Sequence, residues 1–106
     1  MPCATLSWFP NHDPLQVGET YQFTACCVSP KCTPRLTWFV LGAQPQLGGE
    51  LEVTSGCIVW SFQLPSGATE LRVHVQCRDP GHMMSGGPGT PGYCCDEFFI
   101  VPVAVS

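Results

Sequence analysis

The stretch that indicates the fold most clearly is ELRVHVQC, residues 70–77. Its apolar residues and its cysteine occupy every second position, and polar residues such as His74 lie between them. This period of two is typical of a half-buried β-strand and differs from the period of a helix. Residues 19–28 repeat the pattern and carry Cys27 in step with three apolar residues. We therefore predict two core strands whose cysteines, Cys27 and Cys77, meet between packed sheets.

Five further segments complete the predicted set of strands: residues 4–9, 35–41, 50–54, 57–64 and 96–105. Residues 42–49 and 78–93 are rich in glycine and proline, so we predict loops there. Trp38 and Trp60 lie in phase with apolar neighbours, which places them in the core. Seven short strands at this spacing predict an all-β fold, a two-sheet antiparallel sandwich forming one domain over residues 1–106.

Composition narrows the class of protein. Eight cysteines in 106 residues, with eleven glycines and eleven prolines, predict a disulfide-rich domain that is secreted or exposed at the cell surface. Four lysines and arginines and a net charge of −4 exclude a nucleic-acid binder, which needs clustered positive charge. No apolar run approaches the length of a membrane span. Charged residues are scarce, at 11%, which is compatible with a compact disulfide domain that has a Ser/Thr/Gln/Gly surface and also with a surface partly covered by partners.

The order and phase of Cys27, Trp38 and Cys77 resemble the Cys…Trp…Cys arrangement of the immunoglobulin-like superfamily. The resemblance extends over most of the chain and implies an Ig-like sandwich. It also implies that all eight cysteines collect at one end, the end that carries the loop 78–93.

The same resemblance implies a disulfide pairing. Cys27 and Cys77 point inward and pair between the sheets. Cys26 and Cys57 point outward on strands that neighbour each other in an Ig-like sheet, so they pair as well. Four cysteines remain. Cys3 and Cys32 pair with Cys94 and Cys95, and the order of this pairing stays open.

The candidate contact surface consists of the two loops next to this cluster, 29–34 and 78–93. Disulfides that hold loops in place reduce the entropy lost on binding. The side chains that we expect to contact a partner are Lys31, Arg78, His82, Met83, Met84 and Tyr93.

An alternative comes from CRDPGH, residues 77–82, which resembles the copper loop of azurin-type cupredoxins. A blue-copper site needs one thiolate, two imidazoles and a weak thioether. The residues that would supply them are Cys77, His82, His12 and Met84 (or Met83). We favour the disulfide interpretation, in which no cofactor is needed, because a copper-bound Cys77 would leave seven cysteines to pair.

The sequence contains no persuasive catalytic triad, serine elbow or paired carboxylates, so we predict a protein that is not an enzyme. The preferred function is an extracellular module that binds another protein. The alternative is a self-assembling structural subunit of an extracellular fibre or coat, in which the partner is the chain itself. Low charge, an apolar last strand and a proline-broken first strand suit pairing between exposed sheet edges.

Overall fold

A computed structural model describes residues 3–79 and 93–104 of the chain. They form seven strands: β1 (Ala4–Phe9), β2 (Thr20–Cys27), β3 (Thr33–Leu41), β4 (Leu47–Glu52), β5 (Ile58–Gln63), β6 (Glu70–Arg78) and β7 (Tyr93–Pro102). Within those ranges there is no helix, and hence none long and apolar enough to cross a membrane.

The strands form two sheets that pack face to face. One sheet has the order β1-β2-β5 and the other the order β4-β3-β6-β7, and every neighbouring pair is antiparallel. The prediction of an all-β, disulfide-rich, two-sheet antiparallel sandwich is confirmed. The arrangement is compatible with an immunoglobulin-like fold.

The core lies between the sheets and follows the alternation seen in the sequence. On β6 the inward residues Leu71, Val73, Val75 and Cys77 are all fully buried, so the predicted phase of this strand is confirmed. From the other sheet, Phe23 stacks on Trp60 and Phe62. Trp38 on β3, next to β6, stacks on Phe62 across the core at a centroid distance of 4.5 Å. Trp38 and Trp60 are both buried, as predicted.

The prediction of a loop over residues 42–49 is wrong at its end, because β4 already begins at Leu47. Gly48 was interpreted as a loop residue, but it permits close packing of the strand. A Cβ atom at this position would lie 2.6 Å from the Trp38 carbonyl oxygen. Strand β7 also begins earlier and ends earlier than predicted, at Tyr93 and Pro102.

The free edge of β7 is tied to the start of the chain. Near its end, the Leu15 amide donates a hydrogen bond to the Pro102 carbonyl at 2.9 Å, and the Ala104 amide donates to the Leu15 carbonyl at 2.7 Å. Near its beginning, the Cys3 amide donates to the Glu97 carboxylate at 3.1 Å. The two hydrogen bonds of Leu15 occupy backbone groups at this end of the edge, which would otherwise be open to another strand.

Candidate binding surface

The outer face of the four-stranded sheet carries side chains that the core does not use. Register places Thr37, His74 and Phe98 on one row across β3, β6 and β7, and Phe39, Arg72 and Ile100 on the next. Successive residues of a strand point to opposite faces, so these six project away from the core. We call this surface the apolar face: Thr37, Phe39, Arg72, His74, Phe98 and Ile100.

Two residues of the apolar face stand out by their exposure. Phe98 is 71% exposed and Ile100 is 62% exposed, although both are large apolar residues. They project from β7 beside a depression of about 510 Å³ above β6. Thr37 and Phe39 on β3 line its other side. The face therefore consists of an apolar ridge, formed by Phe98 and Ile100, next to a concave surface.

A second depression continues the first across β3 and β4. It measures about 410 Å³ and is also lined by Thr37 and Phe39, together with Gln46, Gly48 and Gly49. Gly48 lies in register with the outward Phe39, whereas Gly49 lies in register with the buried Trp38. We call the surface of Thr37, Phe39 and Gly48, which borders both depressions, the trough.

His74 lies on the outer face of β6, as the alternation of the strand predicts, and its side chain is partly exposed. Its ring stacks on Phe98 at a centroid distance of 4.1 Å and an interplanar angle of 7°. Its Nε2 atom is buried and has no hydrogen-bond partner among the described residues, while Asp96 Oδ2 lies 3.5 Å away. Phe98 is thus supported from below by an aromatic ring, which fixes the ridge in place.

Charges surround the apolar face, and they are paired within the chain. Arg78 contacts Asp96 at 3.1 Å, Arg72 contacts Glu70 at 2.5 Å, and Arg35 contacts Glu52 at 3.5 Å. These are all the arginines of the chain. The rim of the face is polar but locally close to neutral.

Four disulfides hold one end of the sandwich. Cys27 is bonded to Cys77 and Cys26 to Cys57, in agreement with the expected pairing. The order that the sequence left open is now assigned: Cys3 is bonded to Cys95, and Cys32 to Cys94. Three of the four disulfides line a cleft of about 330 Å³ with Val28 and Ser29. We call this region the clamped end.

The predicted loop contacts are only partly described. Lys31 is exposed next to the clamped end, and its amide donates a hydrogen bond to the Ser29 hydroxyl at 3.4 Å. Arg78 lies at the end of β6, where its ion pair with Asp96 joins the clamped end to the apolar face. The remaining four side chains lie outside the described part of the chain: those of His82, Met83, Met84 and Tyr93.

The two described residues of the alternative copper set are far apart. Cys77 is bonded to Cys27, which ends β2, so it offers no thiolate. His12 Nδ1 lies 2.8 Å from the Tyr21 hydroxyl, near the beginning of β2. Tyr21 and Cys27 are about 20 Å apart along an extended strand. His82 and Met84 lie outside the described residues. Over 3–79 and 93–104, no group of three His, Cys, Asp or Glu side chains could hold a metal ion.

The ridge is not evident in the sequence. Phe98 and Ile100 belong to the run FFIVPVAV, residues 98–105, where apolar residues occur on both faces of the strand. Such a run is typical of a strand buried on both sides, so it does not indicate which face remains open. No protein-family model matches this sequence, and a search of curated proteins finds no match.

Proposed function

We propose that this chain is a non-enzymatic, Ig-like protein-binding module that acts outside the cell or at its surface. The apolar face supplies the main contact, and the clamped end, with the loops 29–34 and 78–93, forms the adjoining part of the binding surface. The observation that carries the proposal is the exposure of Phe98 and Ile100 beside a depression of about 510 Å³.

The composition of the apolar face supports this function. Contiguous exposed apolar surface with a polar rim is typical of sites that bind other proteins. Interfaces combine a core of aromatic and aliphatic residues with charged residues at the margin. Phe39, Phe98 and Ile100 match such a core, and the ion pair of Arg78 with Asp96 matches such a margin.

The rigidity of the apolar face also supports the proposed binding function. The apolar face lies on three hydrogen-bonded strands, and β7 is joined to the rest of the sandwich through Cys94 and Cys95. A surface that is ordered before binding loses less conformational entropy when the partner arrives. Four disulfides in a domain of this size are also typical of an oxidising, extracellular environment.

The competing role, a fibre or coat subunit assembled by strand exchange, has less support. Strand exchange requires a strand that leaves its own sheet. β7 is paired with β6 from Tyr93 to Pro102 and is held by two disulfides. The contacts of Cys3 and Leu15 with the β7 edge also oppose edge-to-edge pairing there.

A binding array tests the proposed function. The chain is displayed as a tetramer and applied to purified extracellular proteins, with the chain itself among them. We expect at least one protein to bind the unmodified chain but not Phe98→Asp. Val59→Asp is the matched control, because Val59 is 55% exposed on β5 of the other sheet. An array without any binding, or binding that survives Phe98→Asp, contradicts the proposal.

A further inference from the structure

We propose that the partner of the apolar face is a second copy of this chain, bound in a closed two-fold dimer. The inference rests on the proposed function and makes it specific, because it assigns one occupant to the face. Four observations carry it: the complementary shapes of ridge and trough, their register, the pairing of charges within one chain, and the area of the sheet.

The ridge and the trough lie at opposite sides of the same sheet. Phe98 and Ile100 project from β7 at one edge, whereas at the other edge Gly48 on β4 lines the second depression and has no side chain that projects from the sheet. Arg72 pairs with both Ile100 and Phe39, and Phe39 pairs with Gly48. The protruding Ile100 and Gly48 therefore lie on one row across the sheet.

A two-fold axis makes this surface complementary to itself. When two copies stack face to face, an axis parallel to the strands and centred between β3 and β6 places β7 of each copy over β4 of the other. Such a rotation preserves the height along the strands, so Ile100 of each copy lies over Gly48 of the other, and Phe98 lies over Glu50, the β4 partner of Thr37. An isologous contact of this kind uses the same patch on both subunits.

The charges around the face permit two copies to approach. Because Arg35, Arg72 and Arg78 are each paired with a carboxylate of their own chain, the rim presents little net charge of either sign to the second copy. A partner recognised through charge would need unpaired charge here. The contact is therefore apolar, and we expect added salt to leave the association unchanged or to strengthen it.

The size of the sheet is sufficient for a dimer. Four strands at about 4.8 Å spacing and about 30 Å length give a face of roughly 550 Å² in projection. Two such faces reach the threshold of about 1,000 Å² that biological interfaces exceed. Because the two-fold contact uses the apolar face of both copies, it closes and does not propagate into a fibre.

Sedimentation equilibrium of the oxidised full chain, from low micromolar to millimolar concentration, tests the dimer. We expect the mass to rise to twice the monomer mass and to stop there. In the proposed arrangement, the aspartate introduced by Phe98→Asp faces Glu50 of the second copy. We expect the repulsion between the two carboxylates to lower the association constant by at least about tenfold. Thr37→Arg fills the trough and has the same effect. Val59→Asp associates like the unmodified chain.

Mixing the two variants tests the reciprocal arrangement itself. In a dimer of one Phe98→Asp chain and one Thr37→Arg chain, the introduced aspartate lies over Glu50 at one contact, about 5 Å from the strand that carries the introduced arginine and within reach of its long side chain, and the other contact is unmodified. We therefore expect the mixture to form dimers although neither variant does so alone. Both changes are at exposed positions of folded strands, and an unchanged near-ultraviolet circular dichroism spectrum verifies that each variant is folded.

Four outcomes overturn the inference: a monomer at every concentration, masses that exceed the dimer, an equal loss with Val59→Asp, or a mixture of variants that stays monomeric. These outcomes are distinguishable from failure of the proposed function. A monomeric chain that still binds another extracellular protein through Phe98 overturns the dimer alone. A chain that binds neither itself nor any other protein overturns both.

Discussion

Phe23 and Phe98 are the same residue type on two strands, but Phe23 is fully buried and Phe98 is mostly exposed. Phe23 lies between Trp60 and Phe62, with ring centroids 5.3 and 5.2 Å away. We expect Phe23→Ala to lower the free energy of unfolding by about 3–5 kcal/mol, because the removed ring leaves a cavity in the core. The measurement is urea unfolding with the disulfides intact, followed by tryptophan fluorescence.

Phe98→Ala is the matched substitution on the surface. It creates no cavity, so the free energy of unfolding changes by about 0.5 kcal/mol or less, whereas binding through the apolar face is weakened. A large loss of stability for Phe98→Ala shows that the side chain has a role in the core. That result contradicts the assignment of Phe98 to a binding surface.

At the scale of strands, two disulfides make different connections. Cys26–Cys57 joins neighbouring strands that already share hydrogen bonds, and Cys57 is exposed. Cys27–Cys77 joins the two sheets, and Cys77 is fully buried. Replacing Cys26 and Cys57 with alanine removes about 2–4 kcal/mol of stability through greater freedom of the unfolded chain. Replacing Cys27 and Cys77 removes more, because the buried sulfur atoms also leave unfilled space.

Chemical unfolding of the two double variants under oxidising conditions compares these losses directly. A second measurement is partial reduction of the unmodified protein followed by alkylation and peptide mapping. Because exchange requires access to the sulfur atoms, Cys26–Cys57 is expected to open before Cys27–Cys77. Equal stability losses, or early opening of Cys27–Cys77, contradict this difference between the two bridges.

At the scale of strands, some features could be predicted from the sequence and others could not. Strand β6 was predictable because polar and apolar residues alternate without a break from Leu71 to Cys77. The beginning of β4 was not, because glycine is typical both of loops and of strands that approach closely, and only the contact of Gly48 with Trp38 distinguishes them. The order of pairing for Cys94 and Cys95 needed the register of β7, since adjacent residues of one strand point to opposite faces.

The binding surface was less predictable than the fold for a related reason. Alternation identifies the buried face of a strand only where the opposite face is polar. On β7 both faces are apolar, so the exposure of Phe98 and Ile100 depends on what covers the outer side of the sheet. That property belongs to the assembled sheets and not to the strand. The clamped end, in contrast, was predictable because the resemblance to the immunoglobulin-like superfamily implies strand directions that bring all eight cysteines to one end.

At the scale of the whole molecule, the four disulfides compensate for a small core. Domains of this size have a total stability of about 5–15 kcal/mol, and each bridge contributes about 2–4 kcal/mol. Reduction of all four therefore removes most or all of the stability. We expect the reduced and alkylated chain to be unfolded at room temperature, with loss of the near-ultraviolet circular dichroism of the core tryptophans and collapse of amide dispersion in the NMR spectrum. The oxidised chain serves as the reference in the same buffer. A reduced chain that keeps its dispersed spectrum shows that the aromatic core around Phe23 is sufficient by itself, and that the bridges serve mainly to fix the clamped end.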